Sequence, residues 1–184
     1  MREELLKSLK CAPVIAAVRD KMFGAALESP AKVIFLLGGN IMNIGERISE
    51  AHSKNKLIFI HIDLSEGIGK DKMGVEYLAK LGVDGIISTK AGIIRIAKEK
   101  GLMTVERFFA YDSHGVEGIS DMAAAAAPDF IEIMPGVMGK IIKRFSNMGI
   151  PLIAGGLIED VAEVKAALDN GAVAVSTGKK ELWR

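Results

Sequence analysis

Eight short runs rich in valine and isoleucine, at 14–19, 33–38, 57–63, 84–89, 103–110, 129–134, 151–155 and 172–177, punctuate the chain. Between most of them lies a stretch with helical apolar period, at 44–55, 72–81, 93–100, 115–127, 138–147 and 161–170. The last stretch carries the full signal: Asp160 as N-cap, Val161, Val164, Ala167 and Leu168 as one stripe, and Gly171 at the stop. Strand–helix alternation predicts a parallel sheet covered by helices. Eight strands, with glycine-rich ends on the last two, predict closure into a (β/α)8 TIM-like barrel instead of an open doubly wound sheet.

At 184 residues the chain is short for that architecture, which typically takes about 250. The economy is expected in two places. Only residues 20–32, which include Pro30, are available after the first strand, and Arg184 leaves almost nothing for an eighth helix. The opening stretch 2–10 reads as a helix that plugs the barrel's bottom or covers that gap. A single barrel domain over 1–184 is expected, because no linker or charge block marks a second.

Charge and composition exclude several function classes. Twenty-four Lys+Arg against 23 Asp+Glu give a net charge of +1, so bulk electrostatics does not hold nucleic acid, although a local basic patch survives within that sum. The single cysteine, Cys11, excludes a disulfide framework and any multi-cysteine metal site. The longest apolar runs fall far below the roughly 20 residues of a spanning helix. Lys7 and Lys10 interrupt the N-terminal segment where a signal peptide would need an apolar stretch. A cytoplasmic protein with no membrane partner is expected.

A barrel strand sends alternate residues inward. In the third strand Ile58, Ile60 and Ile62 suit the helix layer, which turns His61 and Asp63 toward the barrel mouth. In the sixth strand Ile131 and Ile133 face out, leaving Glu132 and Met134 inside. Arg19 ends the first strand, Lys90 follows the fourth, and Glu106-Arg107 lie in the fifth, where one points inward and the other meets the helix layer or sits at a strand irregularity. Charges buried in a barrel cost several kcal/mol each unless paired. They are therefore read as a polar ligand pocket of Arg19, His61, Asp63, Lys90, Glu106, Arg107 and Glu132, against the plainer reading of ion pairs that fix register. No metal or other cofactor is assigned, because His61 and Asp63 lack a definite third ligand.

Gly155-Gly156 closes the seventh strand and Ser176-Thr177-Gly178 the eighth. Glycines let backbone amides approach an anion, the hydroxyls of Ser176 and Thr177 add donors, and these two loops are the recurrent phosphate site of this architecture. A phosphorylated ligand is expected on Gly155, Gly156, Ser176, Thr177 and Gly178. Gly67-Ile68-Gly69-Lys70 lacks P-loop spacing and reads as a mobile loop after the third strand, carrying Glu66 and Lys70 near the mouth. Lys140, Lys143 and Arg144 cluster on one helix and Lys179, Lys180 and Arg184 near the C-terminus. A solvated face explains the first cluster, and no aromatic–basic interleaving is visible in the order of residues.

Several blocks, taken together, resemble the glycerol uptake operon antiterminator regulatory proteins. They are His61-Ile62-Asp63-Leu64 with Glu66-Gly67 and Asp71, Asp84-Gly85-Ile86-Ile87-Ser88-Thr89-Lys90, Glu106-Arg107-Phe108-Phe109 with Asp112-Ser113, and 128–136. Ala154-Gly155-Gly156-Leu157-Ile158, Ala174-Val175-Ser176-Thr177-Gly178 and Leu182-Trp183 complete the match. Gly178 stands where a second hydroxyl residue is expected. The resemblance implies a barrel-like fold and a bacterial cytoplasmic regulator that senses glycerol 3-phosphate and acts on leader RNA of glycerol-utilisation transcripts to prevent termination. It is not an enzyme on that reading. The phosphate would sit on the late loops and His61, Asp63, Lys90 and Glu132 would read the hydroxyls. Binding would order the 65–71 loop and alter an RNA-competent surface or a homo-oligomer. The bare residues leave a different class open: a sugar- or triose-phosphate isomerase or aldolase, with Lys90 as Schiff-base nucleophile and Asp63 or Glu132 as acid/base. A barrel that keeps the ligand site without RNA binding is a third reading.

Overall fold

The structure, a computed structural model, describes residues 2–184 apart from the side chain of His114. The strands are β1 (Val14–Val18), β2 (Val33–Leu36), β3 (Leu57–His61), β4 (Gly85–Ser88), β5 (Met103–Phe109), β6 (Phe130–Met134), β7 (Leu152–Gly155) and β8 (Ala174–Thr177). They pair in sequence order into a closed parallel barrel, β8 returning to β1 with Val14 opposite Val175 and Ile15 opposite Ser176. The helices are α1 (Arg2–Cys11), α2 (Asp20–Glu28), α3 (Ile44–Ser53), α4 (Lys72–Lys80), α5 (Ala91–Glu99), α6 (Ser113–Glu117), α7 (Ile119–Ala126), α8 (Gly139–Phe145) and α9 (Val161–Asp169). Asp71, Asp112 and Asp160 cap α4, α6 and α9 by accepting from Gly74, Gly115 and Glu163 N–H groups.

Alternation along each strand builds two cores. Ile34, Ile58, Ile60, Ile86 and Ile131 fill the layer between sheet and helices, as the isoleucine face of β3 predicts. Ile15, Val33, Phe35, Phe59, Val105, Phe130 and Ile153 form a separate inner cluster, sealed by Leu5 and Leu9 of α1. The N-terminal helix is therefore the plug of the barrel's bottom. The last unit has only a 3₁₀ turn, Lys180–Leu182, and Trp183 anchors it by donating its indole N–H to the Thr177 carbonyl at 2.8 Å.

The first unit is short, as expected, and its one helix, α2, stops two residues before Pro30. Two local expectations are corrected. The 115–127 helix is two, α6 and α7, meeting at Gly118. The loop after β3 is not loose. Glu66 donates its N–H to Gly39 O at 2.9 Å, Ile41 N–H donates to Glu66 O at 3.0 Å, and Asn40 and Glu66 form a parallel bridge. Lys70 Nζ donates to Ser65 O at 2.7 Å, and Ile68 is buried. The loops after β2 and β3 thus extend the sheet by one rung. That pairing lies between segments about 26 residues apart in the chain, which local glycine content does not reveal.

Candidate ligand site at the barrel mouth

Arg107 on β5 and Glu132 on β6 are register partners that both point inward, and Ser176 on β8 reaches the same carboxylate. Arg107 Nε donates to Glu132 Oε2 at 2.6 Å, and Ser176 Oγ donates to Glu132 Oε1 at 2.5 Å. Glu132 is fully buried, so a carboxylate isolated there would be costly, and the two donors offset its desolvation. The link passes over β7 only because Gly155 has no side chain: a Cβ there would lie 2.4 Å from Glu132 Oε1 and 2.7 Å from Ser176 Oγ. Gly155 thus makes room for the ion pair, and it does not line the cavity above.

Above this floor opens a cavity of about 550 Å³, lined among others by Arg19, Arg107, Met134, Gly156, Leu157, Ser176, Gly178 and Lys179. The late loops do converge there. Among the described residues, the N–H groups of Gly156, Leu157 and Gly178 have no acceptor in the protein, nor do the two terminal guanidinium nitrogens of Arg107 or any nitrogen of the Arg19 guanidinium. Gly156 and Leu157 are both left-handed, with φ of 77° and 60°. A tight turn of this kind suits glycine and strains leucine. Arg19 is exposed at the rim, and Lys179 pairs with Glu159 at 3.1 Å across it. Lys179 and Leu157 were not anticipated as site residues. The one signal for Lys179 is that it directly follows Gly178, and in the sequence it reads as part of the basic C-terminus.

Several predicted site residues sit elsewhere or have their polar groups already engaged. Thr177 lines the cavity, yet its hydroxyl donates to Ile158 O at 2.7 Å and accepts from Lys179 N–H at 3.1 Å, so it ties the two late loops together. The Ser176 hydroxyl is likewise spent on Glu132. Asp63 lies in a 3₁₀ turn and latches the end of β4, accepting from Ser88 Oγ at 2.9 Å, Thr89 N–H at 2.7 Å and Thr89 Oγ1 at 3.1 Å. Lys90 is exposed at the start of α5 and does not line the cavity. Glu106 faces the helix layer, because its neighbours Val105 and Arg107 take the inward positions and its register partner is the outward Ile131. Burial pushes the Glu106 carboxyl up to about 7 despite Arg95, and its Oε2 has no hydrogen-bond partner. The physical reason is parity: adjacent strand residues point to opposite faces, so Glu106 and Arg107 cannot share a pocket.

His61 points inward from β3 and is nearly fully buried. Desolvation, then the Arg107 charge, lower its pKa to about 4 against the pull of Asp63, which keeps the ring neutral near pH 7. Its Nδ1 has no hydrogen-bond partner and stands 3.9 Å from Asp63 Oδ2. Among the described residues no group of three or more His, Cys, Asp or Glu is placed to hold a metal ion, and no helix is long and apolar enough to cross a membrane.

Residues 14–183 match the family described as glycerol-3-phosphate responsive antiterminator. A protein of Escherichia coli K12 named "uncharacterized protein YgcP" is 37% identical over 182 residues, covering 97% of this chain and 95% of that one. The crystal structure of a glycerol uptake operon antiterminator regulatory protein from Listeria monocytogenes superposes with a TM-score of 0.88 at 29% identity, covering 92% of this chain and 94% of that one. An antiterminator-related protein from Thermotoga maritima gives 0.84 at 31% identity, covering 94% and 98%.

Proposed function

The chain belongs to the glycerol-3-phosphate responsive antiterminator family, and from that premise we propose that it binds a phosphorylated polyol, glycerol 3-phosphate, at the barrel mouth and acts on leader RNA in response. The observation that carries the ligand half is the convergence of two guanidinium groups, Arg19 and Arg107, with the unengaged amides of Gly156, Leu157 and Gly178 around one cavity. Arg107 is held by Glu132 through Nε, which leaves its outer fork to meet phosphate oxygens. Backbone N–H groups that lack acceptors supply the remaining donors. The polyol end meets Met134 and the Ser176 region, where hydroxyl contacts join the Glu132 floor.

A binding role fits this chemistry better than aldolase turnover. Lys90, the Schiff-base candidate, stands exposed outside the cavity, Asp63 already accepts three hydrogen bonds, and Glu132 is committed to an ion pair.

Calorimetry with glycerol 3-phosphate, glycerol and inorganic phosphate tests the ligand half. The expected order is glycerol 3-phosphate well above either fragment, with a loss of about ten-fold or more in Arg19→Ala, the scale of one charge-assisted hydrogen bond. Equal affinity for glycerol, or unchanged affinity in the variant, rejects it. For regulation, the ligand must favour one of two states of the protein, so leader-RNA affinity should change when it is added. Identical affinity with and without ligand rejects a ligand-controlled response.

A further inference from the structure

A second concave site lies beside the mouth, in the groove between the β5–α6 connection and α8. It has a volume of about 380 Å³ and is lined by Tyr111, Asp112, Met138, Lys140 and Arg144 among others. Tyr111 is 78% exposed and stacks on Phe109 with ring centroids 5.2 Å apart and planes 10° from parallel. One face of the tyrosine is covered by Phe109, and a large share of the ring remains open to solvent. Lys140 and Arg144 have no carboxylate partner among the described residues. Asp112, the one acid on the groove, has Oδ1 engaged in capping Gly115.

We infer that this groove docks an unpaired stretch of RNA, a base stacking on the Phe109–Tyr111 platform and the backbone phosphates meeting Lys140 and Arg144. The inference rests on the regulator reading above for its partner class and on the groove for its location. Arg144 lies over the Phe145 ring, 5.4 Å from its centroid, and like Lys140 keeps its charge free of carboxylates among the described residues. An exposed aromatic beside such cations is the arrangement that holds single-stranded nucleic acid, since every base has a face to stack. The tyrosine and the cations are about 30 residues apart in the chain, so only folding brings them together.

The groove also shares a segment with the ligand cavity. Met134 lines the cavity and is the register partner of Phe109, while Met138 lines the groove. Between them Gly136 donates its N–H to Gly155 O at 2.6 Å and Gly156 O at 3.1 Å. A Cβ on Gly136 would come within 2.8 Å of Gly155 N, so this segment is packed directly against the late loop that meets the ligand.

The test uses the full chain and a short fluorescent oligouridylate, single-stranded or annealed to its complement, titrated at low and high salt. Tyr111→Ala should weaken single-strand binding about ten-fold or more, while Tyr111→Phe retains it. Lys140→Glu with Arg144→Glu should weaken it similarly and flatten its salt dependence, whereas Lys80→Glu on the remote helix α4 should not. Glycerol 3-phosphate affinity should stay unchanged in all four variants, which also reports that they fold. Wild-type RNA binding that survives both groove variants, or falls as much with Lys80→Glu, rejects the groove and leaves the regulator reading standing. No RNA binding by the wild type at low salt, with or without glycerol 3-phosphate, rejects the RNA half of the regulator reading together with the groove.

Discussion

The two ends of the barrel interior are made of the same eight strands and do opposite things. At the bottom, Phe35, Phe59 and Phe130 interlock, the first two rings 5.4 Å apart, and Leu5 and Leu9 of α1 close the end. At the mouth the inward positions carry Arg107, Glu132, Ser176 and His61, and the space above them is open. The bottom is apolar because hydrophobic burial is the cheapest way to stabilise a closed barrel. The mouth gives up that stabilisation and holds buried charges that need each other as partners. A chain selected for stability alone would carry the apolar layer to the top, and the polar end is where the proposed ligand site lies.

The contrast breaks most readily at Arg107. Arg107→Ala leaves Glu132 buried with only Ser176 as donor, so urea unfolding should show a loss of about 3–5 kcal/mol, and calorimetry should show loss of glycerol 3-phosphate binding. Both readouts move together at the mouth. At the bottom they should separate: Leu9→Ala should lower stability by about 2–5 kcal/mol and leave ligand affinity within error. A change in affinity from Leu9→Ala would mean that the two ends are not independent.

Titration sharpens the comparison. His61, inside the barrel, falls to about 4 from 6.5, so the unfolded chain binds the extra proton and stability drops as pH falls from 6.5 toward 4. Glu106, outside it, rises to about 7 from 4.5, so its contribution is full below 4.5 and is lost as pH rises through 7. The slopes oppose each other between 4.5 and 6.5, each on the order of 3 kcal/mol over its full range. Glu106→Gln should remove one slope: its stability should climb across that window while the wild type stays nearly flat. Parallel curves for the two proteins would place the titrating group elsewhere. The smallest effect is expected at Lys90, where Lys90→Ala should change stability by less than about 0.5 kcal/mol and leave ligand affinity unchanged. A large loss of ligand affinity there would return Lys90 to the site.

Much of this molecule was legible before folding. Valine- and isoleucine-rich runs alternating with helical stripes specify eight βα units, because hydrophobic periodicity is set by the geometry of each element and needs no long-range information. The same parity places Glu132 inside from its two isoleucine neighbours, and the glycines after β7 and β8 mark the late loops. Partnership was not legible. Glu106 and Arg107 are adjacent and both charged in the sequence, and only the closed barrel turned Arg107 to the cavity and Glu106 toward α5. Gly155 reads as an anion-binding glycine until Glu132 and Ser176 meet across it. Thr177, Asp63 and the 65–71 loop likewise read as binding or mobile in the sequence, whereas their hydrogen bonds to distant segments engage them in the fold. Local order is written in the spacing of side chains along one element. Which polar groups remain free to meet a ligand depends on contacts between residues 19 to 44 positions apart, and tertiary packing alone decides them.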